Sequence, residues 1–212
     1  MSEDKAEEAQ DAADTFEFLT GLVIAIFAAI LSLNGLGGGK FGGDEAIANI
    51  DKSNQYSWFQ SKSIKKTLAE GQVTTLETLV DTGLVPAEKK EAIDKLVGKF
   101  KGKVEKYDHE TKVILDGSSA HEKEEWFSKL DDDMKGVTGA KEHEVKASGL
   151  NDAGDIFDYG ELFLQLCLVL GAVSLVIKKA KLKKIFFGVM ILCGGVGSVF
   201  TVLAFRAAWA FL

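Results

Sequence analysis

The chain has 212 residues, 46% of them hydrophobic and 27% charged, with a formal net charge of -7. Its 25 lysines and arginines are outnumbered by 32 acids and form no basic face, which excludes nucleic-acid binding as a function class. The apolar residues gather in three long runs, so a mean hydropathy of +0.06 averages two solvents and describes neither.

Residues 1–17 form an acidic tail with one lysine among seven acids. The first apolar run follows at 18–36. Crossing a hydrocarbon core of about 30 Å takes roughly 20 helical residues at about 1.5 Å each, and this run is long enough. It lacks the basic n-region of a secretory signal, and no small-x-small cleavage site follows it, so a retained transmembrane helix is expected. The glycines at 35, 37, 38, 39, 42 and 43 come next and predict a hinge or tight turn where the chain leaves the membrane. A phosphate-binding loop is excluded there, because its pattern needs glycine at Asn34 and a hydroxyl residue at Phe41.

Residues 37–155 read as an extracytoplasmic helical domain, rich in Lys, Glu, Ala and Leu and containing the single proline. A helix is predicted over 44–70, with a three-and-four spacing at Ile47, Ile50, Asn54, Ser57, Ser61, Ile64 and Leu68. Asn54 is a polar residue in that seam of the kind that sets register. A shorter helix is predicted over 72–82. Pro86 suits a first helical turn and Asp116-Gly117 ends the next pattern, whose seam is Ile93, Val97, Phe100, Val104, Tyr107, Thr111 and Ile114. That seam has coiled-coil spacing, and narrow seams on charged helices predict pairing between subunits. A last short helix is predicted over 119–134, with Phe127, Leu130 and Met134 on one face.

The second apolar run is 156–177 and the third 185–205, joined by a loop at 178–184 that carries Lys178, Lys179, Lys181, Lys183 and Lys184. Lysines in short loops stay on the cytoplasmic side, so this loop is cytoplasmic. Parity then places the tail at 1–17 in the cytoplasm, and 37–155 and the short tail at 206–212 outside. The five lysines also attract anionic lipid headgroups, at about 1 kcal/mol each near the surface. Cys167 and Cys193 both fall inside apolar runs and read as packed small residues, so no disulfide is expected in the outer domain.

Candidate chemistry is sparse. His109, His121 and His143 sit among acids, but none forms an HExxH pattern, and they read as solvated residues on charged helices. Asp131, Asp133, Gly136 and Glu142 match positions 1, 3, 6 and 12 of a calcium-binding loop, but Lys135 puts a cation where an oxygen ligand belongs. No metal site, cofactor or catalytic group is expected, and an enzyme is the least favoured class. Asp158, Glu161 and Gln165 open the second apolar run and share a helical face, which suggests packing and orientation or an ion path. Gly194 and Ser198 form a small-xxx-small pair that permits close helix approach.

Three segments together resemble a known family. They are the Leu36-Gly37-Gly38-Gly39 end of the first run, the stretch Asn54-Gln55-Tyr56-Ser57-Trp58-Phe59-Gln60-Ser61-Lys62-Ser63-Ile64-Lys65, and Phe157-Asp158-Tyr159-Gly160-Glu161 leading to Gln165. They are similar to an uncharacterised family of bacterial membrane proteins, the domain-of-unknown-function 4337 family. Residues 71–150 depart from that pattern. The resemblance implies a bacterial inner membrane, a periplasmic outer domain and the same three-span order, and it implies no activity.

The expected fold is therefore all-α: three transmembrane helices and an extracytoplasmic, coiled-coil-like helical stalk. The expected function is a homo-oligomeric scaffold, with Tyr56, Trp58 and Phe59 anchoring the stalk contact. The alternatives are a pore-forming channel or transporter component lined by the second span, and an accessory or sensory subunit of a larger membrane complex with unlike partners.

Overall fold

A computed structural model describes residues 3–212, with side chains from residue 10 onward except residue 12. Most side chains of the acidic tail at 1–17 therefore lie outside the described residues. Among the described residues four α-helices follow one another, α1 (Glu3–Asp81), α2 (Ala87–Asp116), α3 (Ala140–Val176) and α4 (Ala180–Trp209). Three short 3-10 turns, Ser118–Ala120, Phe127–Lys129 and Asp132–Met134, lie between α2 and α3. The chain divides into one unit of residues 1–45 with 148–212 and another of residues 46–147. Parts of α1, α3 and α4 are long and apolar enough to cross a membrane.

The first unit is built from those three apolar segments. Phe41, Leu150, Ala153, Phe157, Ala204 and Ala208 form its buried cluster, with Phe205 and Phe211 packed against them. Phe157 and Phe205 meet edge to face, with ring centroids 5.1 Å apart. The glycine run is not a hinge, contrary to the sequence expectation: α1 is one helix of 79 residues straight through it. Glycine costs a helix about 1 kcal/mol relative to alanine, but at Gly37 it makes room for packing. A Cβ on Gly37 would stand 2.6 Å from the Phe205 ring and 2.7 Å from that of Phe157. An uninterrupted helix also satisfies its own amides, which an apolar solvent will not do.

The second unit contains a helical hairpin. Gly83, at φ +69, turns the chain out of α1, and its N–H donates to the Val80 carbonyl at 3.1 Å. Pro86 then opens α2, and Gly117, at φ +93, closes it. The two helices run antiparallel, since Glu77, Lys66 and Lys62 pair with Lys101, Asp108 and Glu110 in reversed order. The segment predicted as a helix over 72–82 is the last part of α1, not a separate element. The helix predicted over 119–134 is also corrected, to the three 3-10 turns. Phe127, Leu130 and Met134 are nonetheless all buried, in a cluster with Val113 and Ile114 that Trp58, Phe59 and Trp126 cover.

Candidate functional site

Inside the first unit, a buried polar junction ties three helices together. Asn34, 1% exposed on α1, donates its side-chain N–H to the Phe157 carbonyl of α3 at 3.0 Å. Thr201 of α4 donates to Asn34 Oδ1 at 2.8 Å, and the same hydroxyl lies 2.9 Å from the Gly197 carbonyl. Gly160 makes room for it, because a Cβ there would come within 2.8 Å of Asn34 Oδ1. Sequence reading did not single out this junction. Its only signal is an asparagine in one apolar run and a threonine in another.

Beside the junction, α1 and α3 leave an open groove of about 400 Å³ lined by Gly35, Gly38, Gly39, Gly42, Asp158 and Glu161 among others. Gln165 donates to Glu161 Oε1 at 2.7 Å, so the polar residues singled out on the second span form a pair, and Gln165 is exposed. Asp158 is exposed as well. Gly194 packs under the Phe27 ring of α1, and Ser198 donates to the Gly194 carbonyl at 2.7 Å.

At the other end of this unit, the link between α3 and α4 is shorter than the 178–184 loop expected, since α4 already begins at Ala180. Lys178, Lys179, Lys181 and Lys184 are exposed. Lys183 differs: its ammonium lies 2.7 Å from Glu17 Oε1 and over the Phe16 ring. Ser174 donates to the Lys183 carbonyl at 3.1 Å across the turn.

In the second unit, the two seams read from sequence have different surroundings. Ile93, Phe100, Val104 and Tyr107 are half-buried, and Val97, Thr111 and Ile114 are buried, on the inner side of the hairpin. Tyr56 donates to Glu144 Oε2 at 3.2 Å, and Trp58 and Phe59 lie against the Val113 and Ile114 cluster. By contrast Ile47, Ile50, Ile64 and Leu68 are each more than half exposed, and Asn54, Ser57 and Ser61 between them are exposed too.

Ion pairs fix the hairpin. Glu110 is buried, with Oε2 2.7 Å from the Lys62 ammonium. Hydrogen bonds from Lys66 and Lys112 hold the Asp108 carboxyl below the usual carboxylate range, and the Asp108 bond raises the Lys66 ammonium above its ordinary value. The calcium-like spacing is spent elsewhere: Asp131 pairs with Lys106 at 2.7 Å, and Glu142 accepts from the Gly139 N–H at 2.7 Å. His109 stacks on Trp126 with centroids 4.2 Å apart. Among the described residues no group of three or more His, Cys, Asp or Glu is placed to hold a metal ion.

Among the described residues the fold is all-helical, with three helices apolar enough to cross a membrane and a charged helical unit formed by residues 46–147. Residues 16–207 match the profile of the domain of unknown function DUF4337, and the chain belongs to that family. No curated protein and no solved structure matches the chain.

Proposed function

We propose that the chain is a homo-oligomeric scaffold of a bacterial inner membrane, with its N-terminus and lysine-bearing turn in the cytoplasm and its charged helical unit in the periplasm. The lysine bias of the α3–α4 turn supports the orientation. The exposed lysines there meet anionic lipid headgroups.

One observation carries self-association. On α1, Ile47, Ile50, Ile64 and Leu68 recur at coiled-coil spacing on a surface otherwise crowded with charge, and none of the described residues covers them. Burying an aliphatic side chain of this size is worth about 1.5–3 kcal/mol, so four of them favour a partner. The stripe is flanked on one side by Ala46, Ser53, Gln60 and Thr67, all uncharged. Two parallel copies, aligned by their shared membrane orientation, would therefore meet without like charges along that edge, with Asn54 facing Asn54. The 93–114 seam has a different role in this reading, because it is already used within the hairpin.

The test is particle mass and symmetry in mild detergent for the natural chain and for Ile64→Lys with Leu68→Lys. A closed multimer that loses subunits on substitution supports the scaffold. A monomeric natural chain, or a multimer of unchanged mass after substitution, refutes it. Gln165, exposed on α3 and bonded to the half-buried Glu161, favours a second reading, a channel component lined by α3. That reading requires conductance in reconstituted bilayers, altered by Glu161→Gln. An accessory-subunit role would instead show unlike chains in fixed ratio after native purification.

A further inference from the structure

The outward faces of α3 and α4 differ in a way that assigns them different neighbours. On α4 the exposed positions Ile185, Val189, Leu192, Val196, Val199 and Leu203 are all aliphatic, a face that lipid chains satisfy. On α3 the exposed positions Asp158, Leu162, Gln165, Val169, Ala172 and Val176 follow the same alternating spacing, but Gln165 interrupts the apolar series. Counted from Ile156 at about 1.5 Å per residue, Gln165 lies about 14 Å along the apolar segment, well inside the hydrocarbon. Among the described residues it bonds only Glu161, which leaves one donor and the acceptor of this exposed amide without a partner there. Lipid offers no partner for either group.

We propose that the α3 face is the protein-facing side of the membrane unit and packs against α3 of a second copy, while α4 faces lipid. This rests on the scaffold reading above. A primary amide both donates and accepts, so two Gln165 side chains brought together by a symmetric contact satisfy each other without a third group. The seven-residue repeat of Leu162, Val169 and Val176, offset by Gln165 and Ala172, keeps one face in contact from Leu162 to Val176 and gives a left-handed crossing. Ala172 allows close approach about two turns along from the amides. The neighbouring groove has the same character: a Cβ on Gly35, Gly39 or Gly42 would meet nothing within 4 Å, so no described side chain of the same copy fills the space beside them.

Cysteine cross-linking in isolated membranes tests the assignment, using the full chain with Cys167→Ala and Cys193→Ala as background. Single cysteines are introduced as Leu162→Cys, Val169→Cys and Ala172→Cys on α3, and as Leu192→Cys and Val199→Cys on α4. Oxidation should give dimers from the α3 series and at least several-fold fewer from the α4 series. Adding Gln165→Leu should lower the Val169→Cys dimer yield several-fold, and Gln165→Asn should restore part of it, which a variant that merely misfolds would not do. Particle mass is measured on the same preparations. A multimer that cross-links through α4, or whose α3 yield ignores Gln165→Leu, overturns this assignment and leaves the scaffold standing. A monomer overturns the scaffold itself. Cross-links from α3 to an unlike chain would replace the second copy with a hetero-partner and likewise overturn the proposal.

Discussion

Replacing Gly37 by alanine, set against the same change at Gly43, separates packing from helix propensity within one helix. Both positions lie in α1 and both gain helix propensity on substitution, about 0.8–1.0 kcal/mol in water. Only Gly37 has a neighbour in the way. A Cβ there would stand 2.6 Å from the Phe205 ring and 2.7 and 2.9 Å from two atoms of the Phe157 ring, whereas one on Gly43 meets nothing within 4 Å. Both rings are clamped in the Phe41 cluster, so neither yields freely, and overpacking a filled core costs typically about 1–3 kcal/mol. Gly43→Ala should therefore stabilise by up to about 1 kcal/mol, while Gly37→Ala should be neutral to about 2 kcal/mol destabilising. The assay is unfolding in a titration of denaturing detergent against mild detergent, followed by helical circular dichroism, with both variants on the same scale. If Gly37→Ala is as stable as Gly43→Ala, then the two rings do not close on an uninterrupted α1, and the account of the glycine run fails.

Thr201→Val keeps the shape of the junction but strips Asn34 Oδ1 of its donor, which should cost about 1–3 kcal/mol in the same unfolding assay. Lys62→Met strands the buried Glu110 carboxylate, and breaking such a pair costs about 3–5 kcal/mol; Lys106, 3.8 Å from the other Glu110 oxygen, keeps the loss toward the lower end. Glu110→Gln in the Lys62→Met background should recover part of that loss, which melting of the two variants will show. The Lys66–Asp108 pair predicts the pH window of the hairpin. Asp108 is depressed in the fold, so its contribution is present above the ordinary carboxylate value near 4 and fades as pH falls through the lower folded value. Lys66 is raised, so its contribution is complete below about 10.4 and is lost as pH rises through the higher folded value. Asp108→Asn should flatten both limbs of a stability-against-pH curve measured by thermal melting.

The elements that could be read in the sequence are those whose physics is local. Three apolar runs of membrane length and the 93–114 periodicity each announce a helix without any long-range contact, and Pro86 and Gly117 mark the bounds of α2. The glycine run misled because the cost of glycine in a helix is visible in the sequence while the Phe157 and Phe205 rings that close on Gly37 lie more than a hundred residues away. The segment at 119–134 misled differently. Phe127, Leu130 and Met134 face the core as their spacing suggests, but Gly117 and the hydrogen bonds of Glu142 to Gly139 and Ser119 fix the chain into short turns there. Of the candidate surfaces, the α1 and α2 seams were legible as spacings, but which of them is left uncovered depends on how α2 folds back. The Asn34 and Thr201 junction was not legible, since nothing near either residue distinguishes it from an isolated polar side chain in an apolar run.

The turn between α3 and α4 bears on how the protein is made. Only residues 177–179 separate the two helices, and Ser174 grips the Lys183 carbonyl across that gap, so the pair has no slack. In a chain that spans the bilayer as proposed here, neither leg can settle at its final depth before the other, and α3 and α4 enter as a single hairpin. Lys183 then reaches Glu17, at the start of a segment synthesised more than 160 residues earlier. The first span must already be in place to offer that carboxylate, which makes the ion pair a late latch in biogenesis, closed when the last hairpin arrives beside the first helix.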